Sequence, residues 1–252
     1  RVYEIGRVFR NEGVDSTHSP EFTTLECYEA YADQFVMAER MKEIIQSCAK
    51  AVGTERIETE RGTIDLFGEW KWVGVYPGLS EAVGVEITPE TDASVLREIA
   101  EKHEVDIDPK WDAEKLVTEL FGEIVEPTLV NPTFVYDYPP SAQPLARPHR
   151  SGAPLIEAWD LIIGGMERGT AFSELIDPVI QRERLTAQSL LAAAGDDEAM
   201  ELDEDFLRAL EHGAPPMGGI GLGIDRLIML LAGDQDPERP GTVVRQPGIR
   251  ET

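Results

Sequence analysis

Apolar and polar positions alternate through VYEIGRVF (residues 2–9) and again through LECYEAYA (residues 25–32), the period of half-buried strands. The polar stretch between them holds Arg10, Glu12, His18, Glu21 and Phe22, with Gly13 and Pro20 as bends, and predicts a long connecting loop. So many charges on one hairpin connection suit a binding loop better than a solvated tip. From Asp33 to Val52 the period lengthens to that of a helix, with Asp33 as N-cap and Gly53 as stop. RIETERGTIDLFG and EWKWVGVYP read as a short strand pair, and the run from Ser80 as a short helix. Further helices are predicted over DASVLREIAEKHE, capped by Thr91 or Asp92, and from Asp112 to Val125, ended by Pro127.

Strand-forming residues return in Thr128–Tyr138 and stop at Pro139-Pro140, ahead of a basic loop over Pro144–Gly152. PLIEAWDLIIGGMERGTAFSELIDP contains two apolar runs joined at Gly164-Gly165, a central antiparallel hairpin. Two helices follow, VIQRERLTAQSLLAAA and DEDFLRALEHG, and then GGIGLGIDRLIMLLAG, a glycine-punctuated strand running into an apolar helix. Strands grouped in hairpins, rather than alternating with helices, predict an α+β fold: an antiparallel β-sheet flanked by helices.

A length of 252 residues suits one large domain, and 42% hydrophobic with 28% charged residues excludes a disordered chain. No apolar run approaches the ~18 residues of a membrane span. The net charge of -25 (23 Lys and Arg against 48 Asp and Glu) repels phosphate backbones. That argues against non-specific nucleic-acid binding and leaves room for a specific partner. Cys27 and Cys48 lack a metal-ligand spacing and sit in apolar contexts, as buried free thiols of a reducing compartment would. The four scattered histidines argue against zinc, and no serine or cysteine stands beside a histidine and an acid, which argues against covalent catalysis. The first residue is Arg1, not Met, so the chain is expected to begin inside a longer protein.

Three segments place polar residues inside apolar strands. Glu26 and Tyr28 alternate with Leu25 and Cys27 and so share a face, a good cradle for an ammonium group. Asp160, Glu167 and Glu174 each interrupt an apolar run. Asp160 and Glu167 suit a divalent cation on a phosphate substrate, and Glu174, sharing a face with Phe172, suits a second acidic wall of the ammonium pocket. The bland alternative pairs each acid with an arginine such as Arg168 or Arg182. Gly219, Gly221 and Gly223 alternate, so one strand face is bare and lets a planar or phosphate ligand approach the backbone. Asp225-Arg226 then sets a guanidinium at the mouth of that strand, fit for triphosphate oxygens or for stacking on a base.

Taken together these segments resemble the class II aminoacyl-tRNA synthetases. FRNEGVDSTHSPEFTTLE looks like their motif 2 (within residues 1–33) and GIGLGIDRL like their motif 3 (within residues 218–233). NPTFVYDYP, SAQPLAR and FSELIDPVIQRERL are similar to the lysine-specific members. GTAFSEL carries Thr170 where most of these have Asn, and is similar to a subgroup that includes enzymes fused to lysyl-phosphatidylglycerol synthases.

The resemblance implies the class II catalytic fold, with residues 1–252 as catalytic domain. Motif 1, which builds the homodimer, and an anticodon-binding β-barrel would lie upstream of Arg1. It further implies a cytoplasmic lysine–tRNA ligase whose substrates are ATP, lysine and tRNA(Lys), with Mg²⁺ as cofactor. By resemblance, Arg10 bridges the α-phosphate and the lysine carboxylate, and Arg226 is the second catalytic arginine. Glu12 and Phe22 hold adenine, His18 and Arg226 meet the outer phosphates, and Asp160 and Glu167 hold the metal. Glu26, Tyr28 and Glu174 line the ε-ammonium pocket, with Phe172 against the lysine stem. Two acids and a phenol match the three donors of an ammonium, whereas a neutral side chain would strand both carboxylates. Two other readings remain: a synthetase paralogue that lysylates a translation factor, and a non-catalytic regulatory relative.

Overall fold

The computed structural model describes residues 1–10, 19–193 and 202–233. Its centre is a seven-stranded sheet whose order mixes both ends of the chain. The strands are β1 (Val2–Phe9), β2 (Glu21–Ala30), β5 (Lys71–Gly74), β6 (Thr133–Tyr136), β7 (Ala158–Ile162), β8 (Glu167–Ser173) and β9 (Met217–Gly223), in the spatial order β1-β2-β9-β8-β7-β6-β5. All pairs are antiparallel except β5 with β6, so the predicted antiparallel sheet is in fact mixed. The strand pair expected around residues 56–76 also divides. β3 (Arg56–Thr59) and β4 (Gly62–Asp65) form their own two-stranded sheet, while β5 joins the main one.

One face of the sheet is sealed by α1 (Gln34–Val52) and α7 (Ile224–Ala232). Asp33 caps α1 by accepting from the N–H groups of Phe35 and Val36, and Gly53 ends it in the left-handed conformation, as the sequence predicts. Met37, Met41, Ile45 and Ala49, spaced four apart, bury one stripe of α1 against Trp159, Leu161, Ala171, Ile220 and Leu222. Burial of each large side chain in that stripe contributes roughly 1.5–3 kcal/mol.

Among the described residues the opposite face is covered at its β5–β7 end, by α2 (Val75–Val83), α3 (Ala93–Lys102) and α4 (Ala113–Ile124), which pack Leu79, Leu96, Leu120 and Phe121 against Val135, Ala158 and Ile162. Helix α2 begins five residues ahead of the expected Ser80, because Val75, Tyr76 and Leu79 are needed to bury its face. Asp92, not Thr91, caps α3, and Asp112 caps α4. Helices α5 (Pro178–Ala193) and α6 (Glu204–Glu211) follow β8. The two cysteines are free, and half-buried where full burial was expected. Among the described residues no helix is long and apolar enough to cross a membrane.

Candidate functional site

The uncovered part of the second face, over β2, β9 and β8, gathers most of the singled-out residues. Register decides which side chains meet. Glu26 lies opposite Gly221, Gly221 opposite Thr170 and Thr170 opposite Asp160, so these four share one row and one face. Tyr28, Gly219, Phe172 and Ala158 form the next row. Thr24 and Gly223 form the row on the other side, with Phe22 one alternation beyond.

The bare face of β9 is filled by its neighbours. The Oε1 atom of Glu174 lies where a Cβ on Gly219 would stand, and Tyr28 Cε1 is 2.6 Å from that point. A Cβ on Gly221 would be 3.2 Å from Glu26 Oε1. The two carboxylates therefore converge over the glycine strand. Burial, and then the charge of Glu26, pushes the Glu174 carboxyl up to about 8. Burial also raises Glu26, against a hydrogen bond from Thr24 and the charge of Arg10. Tyr28 is pushed to about 12 by burial and by Glu174 and Glu26, which keeps it a neutral phenol. A cation entering such a recess would favour the charged form of both carboxyls.

Toward the other end, Arg10 places its guanidinium carbon 5.1 Å from the centroid of the Phe22 ring. Arg10 therefore spans the aromatic shelf and, by its charge, the acid recess. Arg226 lays its stem over Gly223, with Cδ 3.5 Å from the position of a Cβ there. Its Nη1 donates to the Glu167 carbonyl at 2.9 Å and stands 3.4 Å from the Glu167 carboxylate. The bland alternative for these acids was a salt bridge to an arginine such as Arg168 or Arg182. Arg182 instead pairs with Glu204, and buried Arg168 donates to the carbonyls of Ile163 and Arg226.

A β-bulge sets the position of Glu167. Leu161 opposes Gly169, but Ile162 opposes Glu167, leaving Arg168 as the extra residue. Simple alternation from Thr170 would turn Glu167 to the sealed face, and the bulge returns it to the open one. There it acts on Asp160, which burial and then Glu167 push up to about 7 and which is hydrogen-bonded to Thr170 and the buried phenol of Tyr138. A third acid, Glu126, sits in the 3-10 turn Glu126–Thr128 and is raised to about 7 by burial, Asp160 and Glu167. Its sequence context, the end of an amphipathic helix, carried no signal of this placement.

Among the described residues no group of three or more His, Cys, Asp or Glu side chains is set to hold a metal ion unaided. The donor set is carboxylate oxygen whose negative charge Arg226 answers only in part, which fits Mg²⁺ bound through one or two carboxylates with phosphate oxygens completing the shell. Glu12 and His18 lie outside the described residues, as does the tail from residue 234. The basic loop is used internally: Arg150 donates to Glu157 and to Asp33, the cap of α1, and Arg147 N–H to the Ser173 carbonyl.

A family model described as tRNA synthetases class II (D, K and N) matches residues 1–236. A Lysine–tRNA ligase of Kineococcus radiotolerans is 50% identical over 236 residues, which cover 92% of this chain and 47% of that protein. The Lysylphosphatidylglycerol biosynthesis bifunctional protein LysX of Gordonia bronchialis is 49% identical over 239 residues, covering 92% of this chain and 21% of that protein. The namesake from Nocardia farcinica is 48% identical over the same shares. The chain thus spans about a fifth of the LysX relatives and about half of the ligase.

Proposed function

The chain belongs to the class II tRNA synthetases of the D, K and N group, and from that membership we propose that its open face activates lysine with ATP and that the whole protein passes the lysyl group to tRNA(Lys). A lysine carboxylate oxygen attacks the α-phosphorus of ATP, forming the lysyl-adenylate as the bond to pyrophosphate breaks. The terminal ribose hydroxyl of the tRNA then attacks the adenylate carbonyl and AMP leaves. Neither step uses a protein nucleophile, so the work left to the side chains is positioning and charge neutralisation.

The observation that carries this reading is the convergence of Glu26 and Glu174 beside Tyr28 on a glycine strand, with the Glu174 carboxyl held at about 8. An ammonium supplies positive charge and three donors for the two carboxylates and the phenol. Phe172 shares that row and packs the aliphatic stem. Arg10, between recess and shelf, contacts the α-phosphate and the lysine carboxylate. Phe22 and Arg226 hold adenine, with Glu12 assisting, and His18 joins Arg226 on the outer phosphates. Asp160 and Glu167 hold Mg²⁺, which when bound neutralises phosphate charge as pyrophosphate departs. A homodimer and a cytoplasmic setting belong to the same proposal, as does the assignment of residues 1–252 to the catalytic domain.

Lysine-dependent ATP–pyrophosphate exchange by the full-length protein tests it. Exchange with lysine at least a hundredfold above that with arginine or ornithine is expected; no exchange, or equal exchange with neutral amino acids, refutes the reading. The LysX relatives favour a second setting for the same chemistry, in which the lysyl group goes on to lysylphosphatidylglycerol. Loss of that lipid on deletion of the gene would distinguish the two settings.

A further inference from the structure

Strand β2 outruns its partner. β9 ends at Gly223, opposite Thr24, and the chain turns into α7, while β2 continues back to Glu21 with β1 alone beside it. Beyond the end of the ladder the next β2 donor on that side is the N–H of Thr23. It donates to Oδ2 of Asp225 at 2.7 Å, across 202 positions of sequence. An acid in the first turn of a helix ordinarily serves the free N–H groups of its own helix. Helix α7 has no side-chain cap, and the Asp225 carboxylate is given to the strand instead.

The neighbours of this bond are the two parts of the nucleotide shelf. Phe22 precedes Thr23, and Arg226 follows Asp225. Arg226 is already moored to β8, by its guanidinium on the Glu167 carbonyl and by its own carbonyl, which accepts from Arg168 at 3.0 Å. Nothing in that mooring fixes β2. We propose that Asp225 is a positioning residue for the nucleotide: by accepting from Thr23 it holds the Phe22 end of β2 in register with the turn that carries Arg226, so that ring and guanidinium keep the spacing one base requires. This rests on the ATP reading of the site and adds to it a residue that touches no substrate.

The role belongs to the acceptor oxygen, not to the charge. Asp225→Asn keeps an acceptor of the same reach, Asp225→Ala removes it, and Asp225→Ser keeps a side chain favoured at helix starts but too short to bridge. The test is calorimetric binding of a non-hydrolysable ATP analogue to the full-length protein, alongside KM values for ATP and lysine in pyrophosphate exchange. Asp225→Ala and Asp225→Ser are expected to weaken analogue binding and raise the KM for ATP about tenfold, with the KM for lysine within twofold and Asp225→Asn near wild type on every measure. A purely structural role would lower the melting temperature and move both KM values together, and that result overturns the proposal. So does an Asp225→Asn protein as impaired as Asp225→Ala. If Asp225→Ala does not fold, Asp225→Ser and Asp225→Asn decide the question. A wild-type protein that binds the analogue but shows no lysine-dependent exchange refutes the functional reading alone, because the binding arm still tests Asp225.

Discussion

At one end of the open face Glu26 and Glu174 converge beside a phenol; at the other Asp160, Glu167 and Glu126 gather around Tyr138 and within reach of Arg226. Both ends crowd carboxylates, and burial with neighbouring charge pushes Glu174 up to about 8 and Asp160 up to about 7. The company differs. Beside Glu174 are a ring and a bare glycine strand, which leave space for a slender cation with a long apolar stem. Beside Glu167 an arginine already answers part of the charge, leaving room for a compact divalent ion that brings anionic oxygens with it. Burial and like charges hold protons on the carboxyls in both places, and the neighbours set which cation relieves it.

Four measurements on the full-length protein press on that difference. The largest effect is expected from Glu174→Gln, which should raise the KM for lysine on the order of a hundredfold, since it strands a desolvated ammonium. The KM for ATP should stay within about threefold; an equal loss of both would erase the distinction between the ends.

Next comes pH. With Glu174 near 8, lysine must displace a proton at neutral pH, so affinity for lysine should rise tens-fold from pH 6 to pH 8 and then level. Proton release on binding, read by calorimetry in buffers of different ionisation enthalpy, checks the cause. The same shift works against the ligand-free fold. A carboxyl raised in the folded state makes the protein lose stability as pH climbs from the ordinary 4.5 toward 8. The melting shift given by lysine should therefore be larger at pH 8 than at pH 6.

At the other end Asp160→Asn should raise the Mg²⁺ concentration for half-maximal exchange about tenfold and leave the KM for lysine near its starting value. The smallest effect is expected from Gly221→Ala, whose Cβ would meet Glu26 Oε1 at 3.2 Å. A flexible carboxylate can yield that distance, so a two- to threefold rise in the KM for lysine is expected, with melting unchanged.

The Glu26–Glu174 end was the more legible of the two from sequence. Alternation alone placed Glu26 with Tyr28, and the glycines at 219, 221 and 223 on one bare face, because a strand has a period of two and nothing there disturbs it. The Asp160–Glu167 end was not readable in that way. Glu167 reaches the open face through the bulge after Leu161, and nothing in DLIIGGMERG announces an extra residue. Glu126 arrives from a 3-10 turn after α4, and Asp225 finds Thr23 at long range; both depend on packing that no local pattern encodes. The helix cap Asp33 and the helix start near Asp112 were legible because helix-start signals are local. The parallel pairing of β5 with β6 was not, since α2, α3 and α4 intervene between two four-residue strands.

The strand order carries a consequence for how the molecule comes to exist. Thr24 pairs with Gly223, so the middle of the sheet joins its first two strands in chain order to its last. On a ribosome, the β1–β2 hairpin would emerge with Leu25 and Cys27 uncovered and wait until β9 is synthesised, while the β5–β8 portion, whose partners are nearer in sequence, closes first. The open face would thus be the last part of this sheet to close. Pulsed hydrogen exchange during refolding should protect Val135 and Leu161 ahead of Leu25 and Ile220.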